Sequence, residues 1–398
     1  MNIGLILDPV NKLTGPANYL ANLLVNFQEM NKHRFYYFVP RWKESCYTSN
    51  ETLISLPGLP IMKGRALSKY NLDIIHLNVG MLSNPLDLLH YLCFSRSARR
   101  IITVHGNEMW VIPRYLSNPS RLNILRRRYS RRLVGKTGDH FIAVSNYLKG
   151  SLMTYEKIPE NRITVIYEGI DTALFKKEPQ ERVQEFIRQK GIEWPYLLHI
   201  SNWAPKKNSS TLLYAYAELK RQGVEHKLVV AGGKWDRTDV HSLVAKLELE
   251  EEVVFLNHLS QQDLVLLYNA ADLFVFPSLH ETFGFPILEA MACGCPVITS
   301  NTTAIPEVAG DAALLLNDPQ DANELSDKMS RVLGDPNLRQ QMKDKGLERV
   351  QQFSWESCAR QTMDTYEKVY RMESRCSGKE VLATVKSITR SMVNSIRK

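Results

Sequence analysis

Two glutamates carry the chemistry most plainly. Glu281 and Glu289 stand with seven intervening residues between them in FVFPSLHETFGFPILEAMACGCPVITS, residues 274–300. Carboxylates accept hydrogen bonds from the hydroxyls of a sugar ring or a ribose, so a nucleotide-sugar is a natural ligand for such a pair. Between them Thr282-Phe283-Gly284-Phe285 leads to Pro286, whose missing N–H is tolerated in the first turn of a helix. Free backbone N–H groups at that helix start suit an anionic or hydroxyl-rich ligand, and Gly284 permits close approach of the main chain. Lys206 and Lys207, in SNWAPKKN (201–208), precede another helix start and suit a diphosphate. His105 follows the apolar run Ile101-Ile102-Thr103-Val104. On residue types alone, plainer readings stay open. Glu289 reads equally as a solvated helix residue and Glu281 as an acid favoured by the helix dipole. The lysines read as solvated loop cations and His105 as a structural histidine.

These residues need elements to hold them. Leu273–Phe276 is a short apolar run bounded by Pro277 and reads as a buried parallel strand. Pro286–Ala292 reads as a helix ended by Gly294, and Pro296–Thr299 as the next strand. Similar strands are expected at Ile3–Leu7, Phe35–Val39, Ile74–Leu77, Ile101–Val104, Phe141–Val144 and Ile163–Ile166. Others follow at Tyr196–Ile200, Leu228–Ala231 and Val253–Leu256. Helical stretches separate most of them, among them Pro16–Phe27, Ser209 to about Arg221, and Gln262–Ala270. This alternation predicts an α/β chain with parallel sheets covered by helices on both faces. The opening strand, the loop Asp8–Thr14, Gly15 and the following helix form a Rossmann-like start without the three-glycine dinucleotide fingerprint.

A chain of 398 residues has room for two such domains. The expected division is a first domain at 1–175, a linker at 176–194 in a charged, Pro-containing stretch, and a second domain at 195–352. A helix at 353–375, with Ser354 as N-cap, and a basic tail at 376–398 complete it.

HETFGFPILEAMACGCPVITS, continued by TTAIPEVAGDAALLLNDPQDANEL, resembles the paired-glutamate signature of the retaining GT-B glycosyltransferases, family 4 in particular. The resemblance covers almost the whole chain. It implies a GT-B fold, two Rossmann-like domains facing each other across a cleft, with the last helix crossing back to the first domain. It implies transfer of a hexose from a nucleoside diphosphate sugar to an acceptor hydroxyl with retention of configuration. Glu289 would hold the donor ribose and Glu281 the sugar hydroxyls. Phe283, Gly284 and Phe285 would offer backbone contacts, and Gly15 would face the acceptor and donor phosphates. TVHG, ending at Gly106, resembles the family's interdomain histidine, so His105 and Glu281 are the catalytic candidates; Glu108, close by, is a minor acceptor candidate. The segment Leu256–Leu259 resembles the one that lies against the nucleotide base. Two positions depart from the pattern. Asn202 stands where an Arg commonly partners the Lys matched by Lys207, so Lys206 supplies the second charge. Glu168, in VIYEGID, stands where Asn is usual. Members of this pattern often use GDP-mannose and extend surface polysaccharides, which makes a mannosyltransferase the leading expectation.

No cofactor or metal is expected: lysines and helix N-termini suffice for the leaving group, no DxD-type motif stands near the site, and Cys293 and Cys295 have no partner pair. Six scattered cysteines argue against a disulfide framework and for a reducing, cytoplasmic setting. No run is long enough to span a membrane, and NIGLILDPV reads as a strand, not a signal peptide. The net charge of +8 permits an acidic substrate or an anionic surface. Arg121–Lys136 carries seven cations and no acid along an apolar stripe, and the tail repeats that pattern with Val381, Val385, Ile388, Met392 and Ile396. Each reads as an ordinary surface or packed helix, or as a peripheral contact with an anionic membrane bearing a lipid-linked acceptor. Nucleic acid is not an expected partner, because aromatic residues are not interleaved as a stacking platform requires. A nucleotide-sugar epimerase on the same scaffold and a catalytically silent binding subunit are the rival functions. Donor isomerisation without acceptor would mark the first, and donor binding without turnover the second.

Overall fold

The structure, a computed structural model, describes residues 1–6, 15–28, 33–40, 53–56, 67–79, 98–106, 135–192, 195–257 and 259–372. Expectations for the loop 8–14, for Glu108, for most of Arg121–Lys136 and for the tail 376–398 lie outside these residues. The chain divides into two compact units, one formed by residues 1–169 with 355–398 and the other by 170–354.

The first unit is a parallel sheet of β1 (Asn2–Ile6), β2 (Arg34–Pro40), β3 (Leu53–Leu56), β4 (Ile74–Val79), β5 (Arg99–Val104), β6 (His140–Ala143) and β7 (Ile163–Val165), in the order β3-β2-β1-β4-β5-β6-β7. Helices α1 (Gly15–Gln28) and α2 (Asn146–Glu156) alternate with the strands. The strands read as continuous apolar runs because a parallel sheet is covered on both faces. Ile3, Leu5, Ile74, Ile101, Ile102, Phe141 and Ile142 are all fully buried or nearly so.

The second unit is a parallel sheet of β8 (Tyr196–Ile200), β9 (Lys227–Ala231), β10 (Val253–Leu256), β11 (Leu273–Phe276), β12 (Val297–Ser300) and β13 (Ala313–Leu316), ordered β10-β9-β8-β11-β12-β13. Its helices are α3 (Gln180–Lys190), α4 (Ser209–Arg221), α5 (Thr238–Lys246), α6 (Gln261–Ala270), α7 (Phe285–Ala292), α8 (Ile305–Ala309), α9 (Ala322–Gly334) and α10 (Pro336–Val350). A capping box starts α6, in which the Ser260 hydroxyl accepts from the Asp263 N–H and the Asp263 carboxylate accepts from the Ser260 N–H. Gly294, at φ +73°, ends α7, and the Cys295 N–H returns to the Ala290 carbonyl at 2.9 Å. The stretch 176–194, read from sequence as a linker, contains α3, which buries Val183, Phe186 and Ile187 and packs against α6.

Helix α11 (Trp355–Arg371) belongs to the first unit and packs against α1 and β5. Trp355, Cys358, Ala359, Thr362, Met363, Tyr366 and Val369 lie on its buried stripe at the three- and four-residue spacing of an amphipathic helix. Among the described residues no helix is long and apolar enough to cross a membrane.

Candidate active site

In the second unit the strand order reverses between β8 and β11, which lie side by side with β9 on one side and β12 on the other. Ligands of open α/β sheets bind outside the carboxyl ends of the strands at such a switch point. The loop after β8 carries Lys207 and the loop after β11 carries Glu281. Their side chains meet across the switch point, with Lys207 Nζ 2.6 Å from Glu281 Oε1. Ser278 Oγ lies 2.7 Å from the same oxygen and 3.0 Å from the Lys206 carbonyl. The Lys207 ammonium also sits 4.9 Å from the centre of the Phe276 ring, a cation–π contact. Burial alone pushes the Glu281 carboxyl up. Together the charges of Lys207 and Lys206 and the hydrogen bonds from Lys207 and Ser278 outweigh it and hold the carboxyl below its usual value.

Neighbouring residues fix these two loops. Asn208 adopts a left-handed conformation at φ 57° and is buried. Its amide donates to the Pro277 carbonyl at 3.1 Å and to the Pro319 carbonyl, and its Oδ1 accepts from the Thr211 hydroxyl at 2.7 Å. The Leu279 N–H donates to the Lys206 carbonyl at 2.8 Å. Beneath them His199 donates from Nδ1 to the Val275 carbonyl at 2.8 Å, so its Nε2 accepts from the Ser201 hydroxyl at 2.7 Å. Burial pulls the His199 pKa down to about 4 against the bond to Val275, with Lys207 lowering it further. The ring is therefore a neutral strut. On the far side, the Glu281 N–H donates to Thr303 Oγ1 at 3.1 Å. Thr303 holds φ at 57°, an unusual conformation for a β-branched residue of the kind found where function requires it.

Glu289 sits on α7 with a separate partner: the Tyr268 hydroxyl donates to its Oε2 at 3.0 Å. The side chain keeps partial solvent access but is surrounded by protein. Burial pushes its pKa up to about 7, opposed by the Tyr268 bond. The connecting loop places Gly284 at φ +117° as the residue before α7, where a side chain would be strained. Phe283 is buried edge-on against Phe285 and Phe353 at 5.2 and 5.9 Å.

Asn202 is exposed, and its Oδ1 accepts from the Gly233 N–H at 2.8 Å. It joins the loops after β8 and β9. A Cβ on Gly232 would lie 2.1 Å from the Ser201 carbonyl oxygen, so only glycine allows that approach. Leu256, half-buried at the end of β10, accepts from the Gly232 N–H at 3.3 Å.

In the first unit, Gly15 is the first residue of α1. His105 stands one residue beyond β5 and is 8% exposed. Its Nε2 bonds Asn78 Oδ1, its Nδ1 lies 3.1 Å from Glu168 Oε1, and the Tyr19 ring meets it edge-on at 4.8 Å. Behind it His76 is bonded to Tyr366 and Thr103 at 2.5 and 2.7 Å. Burial, then the neighbouring His105, pull the His76 pKa down to about 3.

The structure thus brings Lys206, Lys207 and Glu281 together, and places Phe283, Gly284, Phe285 and Glu289 along the loop and helix that follow. Ser278, Asn208, His199 and Tyr268 were missed from sequence. Only the Ser at the strand exit and the Lys-Asn pair before the helix carried any local signal.

A sheet wound both ways in each of two units, with a charged pair at the switch point of one, is the architecture of the GT-B glycosyltransferases. The solved structure of Anabaena Alr3699/HepE in complex with UDP-glucose shares this fold at a TM-score of 0.74 and 19% identity, covering 92% of this chain and all of that one. The profile of the family described as Glycosyltransferase Family 4 matches residues 14–174, and that of Glycosyl transferases group 1 matches residues 180–349. The O-antigen chain mannosyltransferase B of Escherichia coli is 32% identical over 277 residues, 68% of this chain and 71% of the relative. The serotype-specific mannosyltransferase WbdA of Escherichia coli is 28% identical over 72% of this chain, which spans only 35% of that longer protein. The chain belongs to the group 1, family 4 glycosyltransferases.

Proposed function

We propose that this glycosyltransferase moves a hexose, mannose by preference, from a nucleoside diphosphate donor to an acceptor hydroxyl with retention of configuration, in the synthesis of a surface polysaccharide or glycolipid. The observation that carries the reading is the Lys207–Glu281 pair across the β8/β11 switch point. An ammonium ahead of a helix start suits the diphosphate, and a carboxylate beside it suits the sugar hydroxyls. Lys206 adds the second charge, Glu289 takes the ribose hydroxyls, and no metal is required while these cations stabilise the leaving group. His105 serves the transfer from the first unit. GDP-mannose is the favoured donor, given the mannosyltransferase relatives. The basic stretches 121–136 and 376–398 fit an enzyme resting on the cytoplasmic face of a membrane that holds a lipid-linked acceptor.

A panel of nucleotide-sugars tested for thermal stabilisation, including GDP-mannose and UDP-glucose, decides the donor. A ligand at a hundred times its Kd adds about 2.7 kcal/mol to folding stability. GDP-mannose is expected to give the largest shift and then to support transfer. A larger shift with a different sugar corrects the donor, and no shift with any of them removes the reading.

A further inference from the structure

Glu168 is a carboxylate only 2% exposed, in the segment that follows β7. Its Oε1 lies 3.1 Å from His105 Nδ1, and the two side chains are 3% and 5% exposed. The other ring nitrogen of His105 is bonded to Asn78 Oδ1. Asn78 lies on β4 near its carboxyl end, His105 just beyond β5 and Glu168 just beyond β7. All three therefore gather at the edge of the sheet where open α/β folds receive ligands. Tyr19, edge-on at 4.8 Å, closes another side of the ring.

A buried carboxylate is costly to keep without a partner, and a carboxylate can only accept a hydrogen bond. The Glu168 carboxylate faces Nδ1 of His105 at 3.1 Å. With Asn78 at Nε2, the plane and the rotation of the imidazole are both set. A ring held at only one nitrogen would still turn about that bond.

We propose that Glu168 is a positioning residue for glycosyl transfer, acting through His105: its carboxylate locks the ring, so that His105 meets the substrate in one orientation. This rests on the reading of His105 as the first unit's contribution to transfer. The donor contacts assigned above all lie on residues 202–289 or at Gly15, so removing the Glu168 charge leaves them in place.

Steady-state kinetics of wild type, Glu168→Gln, His105→Ala and the double variant test it, with thermal unfolding to establish that each is folded. Glu168→Gln keeps the shape and removes the charge. It is expected to lower kcat about ten- to a hundredfold through misplacement of the ring, with the donor KM within about twofold of wild type. In the His105→Ala background the same change is expected to cost nothing further, because the residue it acts through is gone. Undiminished kcat in Glu168→Gln, or equal losses with and without His105, overturns the proposal while leaving the donor site and the reaction as read. If Glu168→Gln does not fold, Glu168→Asp retains the charge on a shorter arm, and ring-nitrogen NMR on histidine-labelled protein reads the outcome. A His105 Nδ1 signal displaced from its wild-type position supports the proposal, and an unmoved one overturns it. A wild type that transfers no sugar from any donor removes this proposal together with the reading beneath it.

Discussion

Glu281→Gln is expected to tighten the binding of a nucleoside diphosphate while it slows transfer. The Lys207 ammonium is held by Glu281 at 2.6 Å, with both side chains mostly buried. A diphosphate that recruits Lys207 has to take it from that carboxylate. Two unit charges about 4 Å apart attract by about 4 kcal/mol at an effective dielectric of 20, and desolvation returns most of that. A glutamine at 281 still accepts from the Lys207 ammonium but lacks the opposite charge, so only the ion-pair attraction left after desolvation is lost. A residual attraction on the order of 1.4 kcal/mol is about tenfold in Kd. Ser278 can still donate to the amide oxygen, so the loop keeps its shape. Calorimetric titration of GDP and UDP into both proteins measures the effect, with the bare nucleosides as controls. Unchanged or weaker diphosphate binding by a folded Glu281→Gln would mean that Lys207 serves both partners at once, or neither, and the competition argued here would be wrong.

Lys207→Ala should weaken nucleoside diphosphate binding by about 1.5–3 kcal/mol and barely alter nucleoside binding; equal losses for the two ligands in the same titrations would count against a phosphate role. Glu281→Ala and Glu289→Ala should each slow transfer by a similar free energy, and near-normal rates in both folded variants would remove the carboxylates from the site. The Glu289 carboxyl, raised from 4.5 to about 7, binds more protons folded than unfolded between those values. Its contribution to stability therefore falls as pH rises through that window, and the cost is complete above about 7. Glu289→Gln removes a cost of at most about 3 kcal/mol, reduced by the solvent the side chain retains, so its Tm advantage should grow between about pH 5 and pH 8; a difference independent of pH would contradict the burial argument. Wild type should co-sediment with anionic but not neutral vesicles and lose that binding with salt. Deleting 377–398 should weaken it, and replacing Arg126, Arg127 and Arg128 should weaken it further; wild type left in the supernatant at low salt would point to a soluble acceptor.

The second unit was legible where punctuation bounds apolar runs. Pro277, Pro286 and Gly294 bracket β11, α7 and β12 to within about a residue, because each enforces a backbone state locally. Helix α3 hid inside a supposed linker because its buried face is only Val183, Phe186 and Ile187 among charges. Strand β3, LISL at 53–56, was passed over. The acid and the base of the site were visible as residue types, but their partners were not. Ser278, Asn208 and Tyr268 act on groups brought near by the sheet order, and Tyr268 lies on a different helix from the glutamate it bonds. Asn202 was noticed for the charge it lacks, whereas the structure shows what its amide does, joining two loops.

The order of synthesis matters for a chain in which α11 completes the first unit. The sheet of that unit is encoded by residue 165, yet Trp355 and Tyr366, which cover Tyr19 and bond His76, come about two hundred residues later. At ribosomal rates that delay is on the order of ten to forty seconds. The second unit, continuous from 170 to 354, has all its strands and helices before then. The fold thus imposes a sequence of events in which the later-encoded unit finishes first, and the earlier one waits with His76 lacking its tyrosine. Pulse proteolysis of chains stalled at residue 354 should cut within the first 169 residues and spare the rest; protection of both units would show that the sheet closes without its last helix.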